Sequence, residues 1–193
     1  MEPRGDQYYI KEVNSGNTPA FRFMVEKYQD RVFNLALRIC GSREDAEEIA
    51  QDAFLKSFRS LKDFRMESSF STWLYRIVYN TAITHLRGTR KNTISIDEFP
   101  ASFPDFREGN VSEIAAEREY RNALINFALQ KLSESDRGLI ALHYFEELNI
   151  DEVAEATGIS KANVKVRLFR ARARMLEVIQ NVEQKNAACH EHR

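Results

Sequence analysis

The sequence predicts an all-α protein: two small helical domains joined by an acidic linker, the C-terminal one a helix-turn-helix. Three observations carry that expectation. Apolar residues recur at helical spacing through most of the chain, with no alternating strand pattern and no internal repeat. The stretch from Thr93 to about Ser112 breaks the pattern with Pro100, Pro104, Gly109 and isolated aromatics. Near the end, Asn149–Ser160 reads as a short helix and a glycine turn that run into the strongly basic Lys161–Arg174.

Taken in order, Phe21–Cys40 places Phe21, Val25, Tyr28, Val32, Leu35 and Ile39 on one face and stops at Gly41. Ser42 then caps Arg43–Leu61, whose first turns are crowded with acids that the helix dipole favours. After a turn at Lys62–Ser69 comes Phe70–Arg87, closed by Gly88. Beyond the irregular stretch, Glu113–Lys131 and Ser135–Glu147 resume helical character. Residues 1–91 are expected to form the first domain, 92–115 a flexible acidic linker, and 116–193 the second domain with a disordered C-terminal tail.

The 28 basic and 29 acidic residues nearly cancel, but they are segregated along the chain. Asp97–Glu119 carries seven acids against two arginines, whereas Ser160–Met175 carries six Lys or Arg and no acid. Such segregation suits a protein with both DNA and protein partners. Two distant cysteines, Cys40 and Cys189, imply no disulfide framework, and neither a signal peptide nor a membrane-length apolar run is visible. A cytoplasmic protein with no membrane insertion is expected.

Stepping about 100° per residue along the basic helix separates two faces. Val164, Leu168, Ala171 and Met175 form a narrow seam for packing on the preceding helix. Asn163, Val166, Arg167, Arg170 and Arg174 fall opposite, with Ser160, Lys161 and Lys165 at the helix start. A salt-bridged surface helix would need acids, and this helix holds none; phosphates would neutralise it and guanine edges would fit its arginines. These eight residues are the candidate duplex-DNA contacts.

The helix Thr72–Arg87 has a broad apolar arc and a narrower stripe of Thr72, Trp73, Arg76, Asn80, Ile83, Thr84 and Arg87. Rings and guanidinium planes stack on unpaired bases while amides and hydroxyls reach base edges. Aromatics at helical spacing also fill cores, so this helix by itself leaves both readings open.

Together, Glu44–Leu55, Phe70–Asn80 and the terminal helix-turn-helix resemble the extracytoplasmic-function (ECF) sigma factors, the minimal two-domain specificity subunits of bacterial RNA polymerase. The resemblance runs from about Ala20 to Leu176. It implies that Glu48, Gln51, Asp52 and Leu55 dock on the clamp helices of the polymerase's largest subunit. It further implies that the loop Phe64–Ser69, with Arg65 and Ser68, captures a base flipped from the −10 element, joined by Trp73, Arg76, Asn80, Thr84 and Arg87. The second domain would read the −35 element as duplex, and an anti-sigma factor, in some cases membrane-anchored, would restrain the protein. One departure stands out: in Val164-Lys165-Val166-Arg167 the family commonly has Ser at the position of Val166, so altered −35 contacts are expected.

Two other functions compete. An autonomous helix-turn-helix regulator shares the C-terminal motif but gives no reason for Trp73, Asn80 and the Glu48/Gln51/Asp52 face. A helical adaptor would use the basic helix on an acidic protein. Enzyme function is not expected, because the chain has no phosphate-cradling glycine loop, zinc-protease pair or nucleophile motif. Of four histidines, His85 and His143 suit partly buried helix positions. The others lie in Cys189-His190-Glu191-His192, which lacks the second cluster a metal site requires; no metal or cofactor is expected.

Overall fold

A computed structural model describes residues 5–89 and 113–190. All regular structure in these residues is helical: α1 (Asp6–Asn14), α2 (Phe21–Cys40), α3 (Arg43–Ser60), α4 (Phe70–Thr89), α5 (Glu113–Gln130), α6 (Glu134–Ile140), α7 (Ile150–Thr157) and α8 (Lys161–His190). Most of the expected linker lies outside the described residues. The expected tail is helical as far as His190, as one continuation of α8.

Helix α2 buries Met24, Tyr28, Val32, Leu35, Ala36 and Ile39 along one stripe and ends at Gly41, whose φ of 80° a side-chain-bearing residue would resist. Ser42 begins α3 by accepting the Asp45 amide at 3.3 Å. The sequence reading missed α1. Few apolar residues mark it, and it is held from outside: Asp6 accepts the Tyr28 hydroxyl at 2.7 Å and pairs with Lys27 while Ile10 and Val13 enter the core.

Helix α4 is buried on two sides. One side packs on α2 and α3, where Lys56 donates to the Thr81 hydroxyl and Asp45 lies 3.0 Å from the His85 ring. The other side receives α6 and α7 of the second domain. The helix also continues past Gly88 to Thr89 instead of closing before it. Between α6 and the loop before α7, residues Ala141–Phe145 widen into a π turn, with the Glu146 amide bonded to the Ala141 carbonyl at 3.1 Å. The expected single helix to Glu147 therefore changes its winding at Ala141 and ends at Phe145.

The two domains share one continuous apolar core. Around it, polar groups cross the boundary. Arg137 of α6 donates to the Ile39 carbonyl at 3.0 Å and Gln130 reaches the Arg38 carbonyl at 3.5 Å, so the open C-terminal end of α2 is capped by the other domain. The Tyr79 hydroxyl lies 2.8 Å from the Ser135 hydroxyl. The Arg38 guanidinium sits 4.0 Å over the Phe145 ring.

A cleft of about 240 Å³ opens at this boundary, lined by Arg31, Asn34, Arg38, Phe145, Glu146 and Glu147. Burial pushes the Glu146 carboxyl above its ordinary range, against the pull of Tyr75, Arg31 and Arg38. A carboxyl that holds its proton longer when folded makes stability fall as pH rises from the unfolded value through the folded one, and the deficit persists above. Glu146→Gln should therefore melt at a higher temperature than the parent at neutral pH, the difference closing as pH falls below about 4. Thermal melts across that range check it; equal melting at neutral pH would contradict it.

Candidate nucleic-acid and polymerase interface

The helix-turn-helix is assembled by local bonds. Asn149 accepts the Asp151 and Glu152 amides at 2.9 and 3.0 Å, and Glu152 accepts the Asn149 amide at 2.9 Å, a complete capping box. Helix α7 ends at Gly158 in the left-handed region (φ 71°), which turns the chain, and Ser160 opens α8 by accepting the Asn163 amide at 3.4 Å. Val164, Leu168 and Ala171 are buried and Met175 half-buried, forming the expected seam.

On the opposite arc Ser160, Lys161, Asn163, Lys165, Val166, Arg170 and Arg174 are exposed. Arg167 differs from the expectation. It is half-buried, with its Nε and one terminal nitrogen 2.8 and 2.7 Å from the same Asp136 carboxylate oxygen. Lys161 pairs with Asp151 at 2.8 Å and Arg174 with Glu177 at 2.7 Å. Acids from outside the basic stretch thus hold three of its cations. Among the described residues, Lys165, Arg170 and Arg172 have no carboxylate within ion-pair distance. Phe169, 65% exposed beside the 46%-exposed Val166, adds an apolar step to this face. Helical stepping sets Phe169 next to Val166, although it is not among the eight candidate contacts.

On α4, Arg76, Asn80, Thr84 and Arg87 form an exposed strip. Trp73 borders it half-buried, its ring 5.1 Å from Phe64 and 5.6 Å from Phe70. Thr72 does not belong to the strip: it is buried, its hydroxyl 2.8 Å from that of Ser69. Ser69 also accepts the Thr72 amide at 3.1 Å, so it begins α4 as well as ending the loop. In that loop Arg65 is exposed, Phe64 and Ser68 are half-buried, and Met66 takes a φ of 58°, a strained region for a side chain of its size.

On α3, Glu48, Gln51, Asp52 and Leu55 are all exposed, Leu55 by 53%. Glu48 lies 3.8 Å from the His85 ring and Asp52 3.9 Å from Lys56. His143 is held at 2.7 Å from the Leu148 carbonyl, a structural role. Among the described residues no group of three or more His, Cys, Asp or Glu could hold a metal, and no helix is long and apolar enough to cross a membrane. His192 and the side chains of Cys189 and His190 fall outside the described part.

Comparison with known proteins matches the chain to a family. The sigma-70 region 2 model matches residues 24–92 and the sigma-70 region 4 model residues 122–175. The RNA polymerase sigma-H factor of Pseudomonas aeruginosa is 33% identical, covering 91% of this chain and 94% of the relative. The ECF sigma factor SigW of Bacillus subtilis is 32% identical, over 84% of this chain and 90% of the relative. The ECF sigma-E factor of Escherichia coli K12 is also 32% identical, over 86% and 90%.

The chain belongs to the ECF RNA polymerase sigma factors.

As an ECF sigma factor it binds RNA polymerase and directs promoter-specific transcription initiation; the autonomous-regulator alternative is not favoured. The family is not an enzyme class. Two solved structures share the fold of this sigma factor. CnrH in complex with the cytosolic domain of CnrY is 24% identical with a TM-score of 0.66, covering 91% of this chain and 97% of that one. RpoE in complex with the anti-sigma factor NepR from Bartonella quintana is 22% identical with a TM-score of 0.62, covering 83% and 96%.

Truncating the two recognition-helix arginines should separate their roles. Arg167→Ala leaves Asp136 without its cation and should lower folding stability by about 1 kcal/mol, the carboxylate being partly solvated. Arg170→Ala should leave stability within about 0.5 kcal/mol. Denaturant melts of both variants decide this; equal midpoints would mean that the Arg167–Asp136 pair contributes nothing to the fold.

Proposed function

We propose that the three exposed faces divide the work of initiation between them. The acidic face of α3, with Glu48, Gln51, Asp52 and Leu55, docks on the clamp helices of the polymerase's largest subunit. The α4 strip and the Phe64–Ser69 loop hold unpaired bases of the −10 element. The start and outer arc of α8 lie along the −35 duplex: Lys161 and Lys165 meet phosphates, and Asn163, Val166, Arg170 and Phe169 meet base edges. Arg167 joins them only by leaving Asp136.

The observation that carries this reading is the strip on α4. A helix packed on two sides has little surface left, and what remains here is Arg76, Asn80, Thr84 and Arg87 beside the half-buried indole of Trp73. An amide, a hydroxyl, two guanidinium groups and a ring edge make a poor packing surface and a good seat for splayed bases. Unstacking a base costs a few kcal/mol, which these contacts offset.

The residual assignments follow from the family. Catalysis stays with the polymerase, the protein works in the cytoplasm, and an anti-sigma factor restrains it. The complexes of CnrH with CnrY and of RpoE with NepR support that last point.

Asn80→Ala tests the strip. It should reduce transcription from duplex promoter much more than from a template already mismatched across the −10 element, since the second has met the unpairing cost. Permanganate reactivity of exposed thymines reads the open strand. Normal opening of the duplex by the variant would remove Asn80 from the site.

A separate experiment tests docking. Asp52→Lys combined with Gln51→Ala places repulsion where a charge-complementary contact is proposed and should abolish co-purification with core polymerase at unchanged helical content. Normal recovery with core would place the docking face elsewhere.

A further inference from the structure

Beside the Phe64–Ser69 loop lies a cavity of about 330 Å³ that none of the three faces includes. One wall is the end of α1 and the turn after it, with the buried Val13 and with Gly16 at a φ of 106°, where an added Cβ would meet no atom within 4 Å. The other wall is the end of α3 and the turn that follows, with Phe58, Arg59 and Lys62. Phe58 is held by the Phe21 ring at 5.1 Å and still leaves 37% of its surface exposed. Arg59 and Lys62 are exposed, and among the described residues neither has a carboxylate within ion-pair distance.

A ring between two unpaired cations is the composition that binds single-stranded nucleic acid, the ring stacking on a base and the cations meeting its phosphates. The volume stands near the lower end of small-ligand sites, which run from about 300 to 1,000 Å³. It has room for one nucleotide and none for a helix of a partner protein. Position then selects the nucleotide. Leu61, 1% exposed, anchors the single turn Leu61–Asp63, whose end is fixed by the Phe64 amide donating to the Leu61 carbonyl at 3.2 Å. Lys62 is two residues from Phe64, so their Cα atoms stand at most about 7 Å apart. That span is no more than two nucleotide rises of roughly 3.4 Å each. Upstream of the captured base the DNA has to stay paired for α8 to read a duplex, so the unpaired strand continues downstream.

We propose that this cavity is a second nucleotide site, which seats the unpaired base next downstream of the one held by the Phe64–Ser69 loop. Phe58 stacks on that base, and Arg59 and Lys62 lie on its phosphates. The site rests on the −10 reading of the loop. It accepts any base, because stacking uses the π face and not the hydrogen-bonding edge. It therefore favours opening without narrowing the promoter sequence.

Binding of the complete polymerase with this sigma factor to fork-junction DNA tests it. In a short probe the single-stranded overhang ends at the base held by the loop; in a long probe it runs several nucleotides farther. The parent should bind the long probe about tenfold more tightly, one stacked base being worth on that order. Phe58→Leu keeps an apolar side chain against Phe21 without a ring, and should lose most of that gain while short-probe binding stays unchanged. An abasic nucleotide next to the captured base should cost the parent as much and add little to Phe58→Leu. Arg59→Ala and Lys62→Ala should each reduce the salt slope of long-probe binding by about 0.7. An equal gain in parent and Phe58→Leu, at unchanged helical content, would overturn the site. So would variants that assemble poorly with core polymerase yet keep the full gain once assembled, since the cavity would then seat a polymerase side chain. If removing the captured base itself leaves short-probe binding of the parent unchanged, the −10 reading of the loop fails and the site falls with it; failure of the cavity alone leaves that effect intact.

Discussion

Helix α4 has to bury two faces at once, and the rest of the molecule is arranged around that constraint. One face carries Leu74, Val78 and Thr81 towards α2 and α3; the other carries Tyr75 and Tyr79 towards the second domain. The strip between them is all that α4 can offer to a ligand. Its polar character is the condition of its exposure, because a third apolar face would demand a third partner.

The boundary between the domains combines two kinds of interaction. Its centre is apolar and close-fitting, with Tyr79 over Gly138 and both cores continuous. Its edge is polar, with arginine and glutamine capping the end of α2 and a cation over the Phe145 ring. Groups of the second kind can trade their partners for water at modest net cost, whereas the apolar contact cannot. Such a boundary closes firmly but does not depend on bonds that water cannot replace. Tyr75 sits at its heart, its hydroxyl buried between Glu146 and Arg31, and burial pushes its ionisation far up.

Much of this was legible in the sequence. The bounds of α2 followed from periodicity and Gly41, the start of α3 from Ser42, and the helix-turn-helix from Asn149, Glu152, Gly158 and Ser160, all of them signals spanning a few residues. What escaped was non-local. Helix α1 is held by Asp6 on Tyr28, 22 residues away, and carries little periodicity of its own. Asp136 meets Arg167 across 31 residues and Arg137 meets Ile39 across 98, spacings that no pattern in one sequence exposes. Thr72 was misplaced because stepping gives a direction and not a neighbour, and the hydroxyl of Ser69 draws it inward. The resemblance to ECF sigma factors supplied the roles of the three faces; only the basic face of α8 could be argued from charge alone.

The chain contains one tryptophan, and its position has an optical consequence. Trp73 lies against Phe64 and Phe70 with one edge towards the α4 strip, while no indole lies near the recognition helix. Its emission therefore reports the solvation of a single spot on the protein. A base stacking beside the strip changes that signal, and a duplex bound along α8 does not. The fold has placed a built-in fluorophore beside the α4 strip and away from α8, so occupation of the two proposed faces can be timed separately without attaching a label.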